Sequence, residues 1–231
     1  LMSAVELGVF TAIDAGADTV PDIAQAVDIH PVNAERLLTM LAAMQLLHIK
    51  QGRFTNADDV ARFLVEGSPR YAGPWMLFNK PQWNDWGRLT QHLRAKELKV
   101  LGPIGDFTVD DARAYHQATY SIGMGAGRRF VRQVDLTGRK KILDLGGGSG
   151  AYCINAAKTY PELTAVVFDL PVVAEVAREF IAENDLSDRV TAQPCDFTAD
   201  PFPGGADVIL MNSNLPQYSG AVIQGVVQKA F

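Results

Sequence analysis

Cysteine is scarce: Cys153 and Cys195 are the only two among 231 residues. Two cysteines make no disulfide framework, and a reducing compartment, the cytoplasm, is the expectation. Histidine is scarce too. His30, His48, His92 and His116 do not cluster with the cysteines at metal-ligand spacing, so no metal site is expected. No apolar run approaches the roughly 18 to 20 residues that cross a bilayer, and no basic-then-apolar leader opens the chain. No membrane partner is expected. An excess of basic charge is lacking as well. The net charge of −5 argues against a general nucleic-acid binder. What is there, 48% hydrophobic and 20% charged residues, is the composition of a globular chain long enough for one large domain or two small ones.

Residues 1 to 60 read as short helices followed by a hairpin. Leu1, Val5, Leu7, Val9, Phe10 and Ile13 form an apolar face that stops at Gly16. The pattern is already under way at Leu1, which we read as a missing native start. Two more helices follow. Pro21 suits the first turn of one, with Asp22 near its positive end. Asn33 is a plausible N-cap for the other, which carries Leu37, Leu38, Leu41, Ala42 and Leu46. Gly52 then separates two short extended runs. Helix, helix, helix, hairpin is the order of a winged helix. Eight acids against three bases in these 60 residues make phosphate neutralisation a poor role for it, and a packing or dimerisation module the better one.

Residues 60 to 105 look helical and aromatic, with Phe63, Tyr71, Trp75, Phe78, Trp83 and Trp86 read mostly as core. "VLGPIG" at 100–105 is the linker candidate. A helix from about Val109 to Phe130 follows, interrupted or softened at "GMGAG". From Lys140 strands and helices alternate: "KILDL", "GAYCINAAKTY", "TAVVFDL", "PVVAEVAREFIAEN", "RVTAQPCDF", "ADVILM" and a last helix from "QYSGAV". That order implies a parallel sheet with helices on both faces, an α/β Rossmann-like fold. The apolar fourth strand would want neighbours on both sides, so further C-terminal strands are expected beyond this chain. The expected division is 1–105, mainly helical, and 106–231, Rossmann-like.

The run "LDLGGGSG" demands a close ligand or close backbone. Gly146, Gly148 and Ala151 satisfy the loose G-x-G-x-x-G/A dinucleotide pattern. Two acids narrow it. Asp144 lies two residues before the first glycine, where a carboxylate would repel a pyrophosphate and suit a cationic or amino-bearing ligand. Asp169 ends the second strand of the sheet, where a carboxylate accepts both ribose hydroxyls of an adenosine. The ligand wanted carries an adenosine, no phosphate, an amino group and a positive charge, and S-adenosylmethionine fits all four.

"ILDLGGGSG", "VVFDLP" and "CDFTADPFPGGADVILMN", behind an acidic winged-helix-like front end, resemble the successive motifs of S-adenosylmethionine-dependent small-molecule O-methyltransferases. This is the plant-type and bacterial family that includes caffeate, acetylserotonin and hydroxyneurosporene methyltransferases. The resemblance covers essentially the whole chain. It implies that Gly146 and Gly148 bring backbone against the methionine part of the cofactor, with Asp144 beside its amino group. It implies that Asp169 takes the ribose hydroxyls and that Leu170 packs near the adenine. Asp196 and Phe197 would meet the adenine ring, and Asn212 the methionine end. It further implies a homodimer built on the front domain and a small-molecule acceptor, with pocket contacts to be sought among Met2, Trp75, Phe78, Asn79, Trp83 and Trp86.

Methyl transfer to a phenol needs a proton removed, since a phenol near pKa ~10 is mostly protonated at neutral pH. A positioned histidine contributes ~10² to 10⁴-fold by doing this. The resembled family places that histidine in a pattern like "LHDWSD". This chain reads Leu215-Pro216-Gln217-Tyr218-Ser219-Gly220, with Pro216 in the place of the base. Three readings follow: an acceptor at oxygen, nitrogen, carbon or sulfur that needs no base; another base, for which His116 is the candidate and Tyr218 and Tyr115 are weaker ones; or cofactor binding without transfer. Rivals from other classes are a nicotinamide-dependent oxidoreductase and a DNA-binding regulator.

Overall fold

The computed structural model describes residues 1–78, 80–95, 107–214 and 218–230. Asn79, the 100–105 linker candidate and Pro216 lie outside them. The chain divides into two compact units, Leu1–Leu98 and Lys99–Phe231.

The first unit opens with α1 (Met2–Glu6) and α2 (Val9–Asp14), where the sequence pattern suggested one helix. The break is Gly8, whose φ of +72° is the left-handed conformation that glycine adopts without steric cost. Next come α3 (Val20–Ala26) and α4 (Pro31–Ala43). The cap of α4 is His30 rather than Asn33: Val32 N–H donates to His30 Nδ1 at 3.2 Å. Strands β1 (Leu47–Lys50) and β2 (Arg53–Asn56) pair antiparallel across Gln51 and Gly52. Both turn residues have positive φ, as a two-residue hairpin with the favoured twist requires. Phe10, Ile23, Leu38, Leu41, Leu47 and Phe54 close one core over these elements. The helices α5 (Asp58–Phe63), α6 (Gly73–Phe78), α7 (Trp83–Gly87) and α8 (Leu89–Arg94) follow. Trp83 and Trp86 are 67% and 62% exposed, so these two aromatics are not core as expected. They project from a short helix that buries nothing.

The second unit starts with α9 (Val109–Gln133). Thr108 and Asp111 cap it reciprocally: Thr108 Oγ1 accepts from Asp111 N–H and the Asp111 carboxylate accepts from Thr108 N–H, each at 3.1 Å. Then β3 (Lys141–Leu145), α10 (Ala151–Thr159), β4 (Thr164–Asp169), α11 (Pro171–Glu183), β5 (Val190–Pro194), β6 (Val208–Leu210) and α12 (Gly220–Ala230) alternate. The strands are parallel in the order β5-β4-β3-β6. Side-chain parity sorts the two faces. Ile142, Ala165, Val167, Val190 and Ala192 pack with α9, α10 and α11. Leu143, Leu145 and Phe168 pack on the other side with Val226 of α12. The chain runs from β3 outward to β5, then returns to β6 on the far side of β3. That reversal opens a crevice at the C-terminal ends of β3 and β6, the place where sheets of this kind take ligands.

The expected break at "GMGAG" is absent. α9 continues through it, because the glycines serve packing rather than bending. A β-carbon on Gly127 would lie 2.6 Å from the Ala151 carbonyl oxygen and from Asn155 Nδ2, and one on Gly123 would lie 3.2 Å from Ala151 Cβ. The absent side chains let α10 approach, which sets the position of the turn that precedes it. Gly125 meets only the end of Arg128, at 3.9 Å. Gly127→Ala is therefore expected to destabilise by about 1–2 kcal/mol, overpacking outweighing the gain in helix propensity. Gly125→Ala should be neutral or stabilising by up to about 1 kcal/mol. Urea unfolding of both variants checks the contrast, and equal effects would contradict the packing role.

Candidate functional site

The turn between β3 and α10 is built from backbone. Gly146, Gly148 and Gly150 have φ of +66°, +57° and +74°, a sequence of left-handed residues that side chains rarely tolerate. The N–H groups of its four glycines are spent within the turn and on β4. Gly146 and Gly147 donate to the Phe168 carbonyl at 2.7 and 3.3 Å, and Gly150 donates to the Gly147 carbonyl at 2.9 Å. Gly148 donates to Asp169 Oδ2 at 2.9 Å.

Asp169 stands at the end of β4, with Oδ1 accepting from Leu170 N–H at 2.8 Å. Burial raises its pKa, and the two backbone hydrogen bonds oppose that shift. Leu170 caps α11 and is half-buried against the α9–α11 core.

Asp144 is not at the mouth of the strand. It shares parity with Ile142 and points under the turn, 1% exposed, where the Cys153 thiol donates to its Oδ2 at 3.5 Å. A β-carbon on Gly147 would lie 2.7 Å from the carboxylate, so the turn covers it directly. Burial pushes its pKa up to about 7, with the Asp169 charge adding a little and the thiol hydrogen bond opposing.

Three further side chains meet the turn. From α9, His116 packs on Gly148: a β-carbon there would lie 2.8 Å from His116 Cε1. His116 is 9% exposed, and burial pushes its pKa down to about 4. Its ring makes no hydrogen bond among the described residues, and Tyr115 packs edge-on against it at 5.1 Å. On the other side, a β-carbon on Gly146 would lie 2.4 Å from Asn214 Nδ2 and 3.2 Å from Phe197 Cε1. Asn214 follows β6, donates through Nδ2 to the Leu145 carbonyl, and went unnoticed in the sequence. The only signal was its polarity two residues after Asn212.

The remaining sequence candidates are dispersed around this centre. Phe197 is buried with Leu143, Leu145 and Phe168, edge-on to Tyr218 at 5.4 Å. Asp196 is exposed, and its Oδ1 accepts from Thr198 Oγ1 and N–H at 2.5 and 2.9 Å, which lowers its pKa. Asn212 is half-buried, with no partner for Nδ2 among the described residues. Tyr218 has its pKa raised by burial and by the charges of Asp196 and Asp169, which keeps it protonated and unfit as a base. No group of metal-ligating side chains occurs among the described residues, and no helix among them is long and apolar enough to cross a membrane.

A family model describing an O-methyltransferase domain matches residues 106–230, and one describing an O-methyltransferase dimerisation domain matches residues 1–67. The chain belongs to this O-methyltransferase family. It is 33% identical to a 3-hydroxy-5-methyl-1-naphthoate 3-O-methyltransferase of Streptomyces sahachiroi, over 92% of this chain and 63% of that protein. It is 32% identical to the N,N-dimethyltransferase OxyT of Streptomyces rimosus, over 94% of this chain and 66% of that one. The chain thus spans slightly under two thirds of these relatives. The fold matches human N-acetylserotonin methyltransferase, solved with SAM, at a TM-score of 0.80 and 23% identity, covering 99% of this chain and 70% of that one.

The buried carboxyl of Asp144 has a consequence for stability. A group held at about 7 when folded, against an ordinary value near 4, retains a proton that the unfolded chain releases. Its contribution is complete below pH about 4 and is lost as pH rises through 7. Asp144→Asn, neutral at every pH, should exceed the unmodified protein in stability at pH 8.5 by an amount on the order of a few kcal/mol. The gap should narrow as pH falls through 7 and vanish below about 4. Urea unfolding across that range checks this, and a pH-independent gap would contradict it.

Proposed function

We propose that this chain binds S-adenosylmethionine and transfers its methyl group to a small aromatic acceptor, with oxygen the favoured atom. One observation carries the reading: the N–H groups of the turn's four glycines are occupied and a carboxylate faces it. A diphosphate needs free backbone N–H groups. At Gly146, Gly147, Gly148 and Gly150 these are bonded internally, one of them to Asp169 itself. A dinucleotide would have to break those bonds against a carboxylate, which disfavours the oxidoreductase reading. An adenosine without phosphates needs only lone pairs for its ribose hydroxyls. Asp169 retains some on both oxygens beyond the two N–H bonds it accepts.

The residues fit the cofactor in the following roles. Asp169 takes the ribose, with Leu170 beside the adenine. Gly146 and Gly148 allow backbone contact with the methionine part. Asp196 and Phe197 border the adenine, Phe197 as an apolar wall, and Asn212 meets the methionine end. Asp144 lies beneath the turn as a buried carboxyl group. When bound, the cofactor supplies a methyl group on a sulfonium, already activated for in-line displacement. The chain's task is to align the acceptor and exclude water.

The sequence offered His116 as the candidate for a replacement base. Burial leaves it neutral, yet a pKa of about 4 lies some six units below an ordinary phenol, a poor match for proton transfer. We assign it instead to the wall of the turn. This strengthens the second reading, an acceptor at nitrogen, carbon or sulfur that needs no base; the similar N,N-dimethyltransferase transfers to nitrogen. The front unit is proposed as a winged-helix-like dimerisation element forming a homodimer, with the division kept at 105/106. The exposed Met40, Met44 and Ile49 would serve such contact. A cytoplasmic location completes the proposal.

Calorimetric titration should show micromolar binding of S-adenosylmethionine or its demethylated product, lost in Asp169→Ala, with no heat from reduced nicotinamide dinucleotide. The reverse pattern would overturn the assignment. His116→Ala should weaken cofactor binding several-fold while changing turnover at saturating cofactor less than about tenfold. A loss of ~10² or more in turnover with unchanged affinity would restore His116 as the base. Mass spectrometry with labelled cofactor and a panel of phenols, amines and thiols supplies the turnover assay.

A further inference from the structure

A lysine in the last turn of a helix ordinarily stays in solvent and complements the helix dipole. Lys229, in the last turn of α12, does otherwise. Its ammonium reaches across to the segment after β5, where Nζ donates to the Phe197 carbonyl at 2.7 Å and to the Asp200 carbonyl at 2.9 Å. The same nitrogen stands 4.8 Å from the centre of the Phe202 ring. Two carbonyls and an aromatic face are enough to give every proton of the ammonium a partner.

The segment it holds carries Asp196 and Phe197. Cys195 N–H ties the start of the segment to the Asp169 carbonyl at 2.8 Å. Beyond that, Asp196 N–H donates to Asp200 Oδ2, the N–H groups of Ala199 and Asp200 donate to the Asp196 carbonyl, and Thr198 donates to Asp196 Oδ1. These bonds are internal to 196–200, so they shape the loop without fixing it to the sheet. Two side chains do fix it: the Phe197 ring, buried in one cluster with Leu143, Leu145, Phe168 and Val226, and Lys229. Val226 and Lys229 lie one helical turn apart on α12 and share a face, so one helix meets both the ring cluster and the carbonyl of Phe197. The edge of that ring abuts the glycine turn, since a β-carbon on Gly146 would lie 3.2 Å from Phe197 Cε1. Contacts therefore run without a gap from Lys229 through Phe197 to the turn. The Asp196 carboxylate is kept ionised chiefly by its bonds from Thr198, with the Lys229 charge a smaller contribution. An ionised carboxylate accepts from an exocyclic amino group and offers a purine carbonyl nothing.

We propose that Lys229 is a positioning residue for nucleobase recognition: by clamping the carbonyls of Phe197 and Asp200 it holds Asp196 and Phe197 where they select adenine over other purines. This rests on the reading of the chain as an S-adenosylmethionine binder with Asp196 and Phe197 beside the base. Lys229 acts through those two residues rather than by touching the ligand. Without its ammonium the loop keeps its internal turn and the Phe197 ring keeps its apolar seat. What is lost is the tie at the Phe197 and Asp200 carbonyls, and with it the fixed direction of the Asp196 carboxylate.

The test reads base selectivity rather than affinity alone. Binding of S-adenosylhomocysteine and of S-inosylhomocysteine, whose purine carries a carbonyl in place of the amino group, is measured by calorimetry on the unmodified protein and on Lys229→Met. Methionine keeps most of the stem and removes the donors. The preference for the amino purine should fall about 5- to 20-fold, through weaker binding of S-adenosylhomocysteine, while the inosine analogue changes within about twofold. A general loss of stability would move both ligands together and leave their ratio untouched. Lys229→Gln repeats the measurement should the methionine variant fail to fold. A ratio that moves less than about twofold, or an unmodified protein that does not distinguish the two ligands, overturns the proposal while the cofactor assignment stands. Failure of the unmodified protein to bind S-adenosylhomocysteine overturns both.

Discussion

The hydrogen bond from Gly148 N–H to the Asp169 carboxylate sets what the crevice can hold. It joins the turn after β3 to the end of β4 and fixes a negative group where a phosphate-binding fold would place free donors. Around it, Gly146 and Gly147 are tied to Phe168, so the backbone presents carbonyl and carboxylate oxygens on this side. A site of that polarity suits hydroxyls and cations. The left-handed glycines are the condition for it, since no side chain would let the backbone fold back onto β4 and over Asp144 at once.

The supports of this turn come from four directions. Beneath lies Asp144 with the Cys153 thiol, and burial raises the pKa of each. His116 of α9 lies against Gly148, Asn214 against Gly146, and α10 is drawn in by the glycine face of α9. Arg113 of α9 adds a solvent-screened bidentate bond to Glu179 of α11 at 3.0 and 2.7 Å. The N-terminal end of β6 is held in register by Asp207, whose carboxylate accepts from the N–H groups of Lys140 and Lys141. The site thus draws on most of the second unit, although few of these groups would touch a ligand.

The strand-helix alternation was legible because glycine, proline and strand-end acids punctuate it. Pro171 opens α11, and Asp169 closes β4 as read. Side-chain direction was not legible in the same way. β3 is buried on both faces, so "KILDL" shows no alternation to reveal that Asp144 shares the inward parity of Ile142. The glycines of α9 read as breakers because helix propensity is local, while the approach of α10 is tertiary. Trp83 and Trp86 read as core from their chemistry alone, and only the fold shows them exposed. Asn214 carried no motif; its contact with Gly146 and its bond to the Leu145 carbonyl are tertiary.

The account turns on Asp169 as the receptor of a phosphate-free nucleoside. Crystals of the protein soaked with S-adenosylhomocysteine test it most directly. The ribose hydroxyls should lie within hydrogen-bond distance of the Asp169 carboxylate, with the turn's own N–H bonds intact. A nucleoside held elsewhere, with Asp169 facing no sugar, would contradict it. So would a dinucleotide phosphate seated on the N–H groups of Gly146 to Gly148 after a parallel soak.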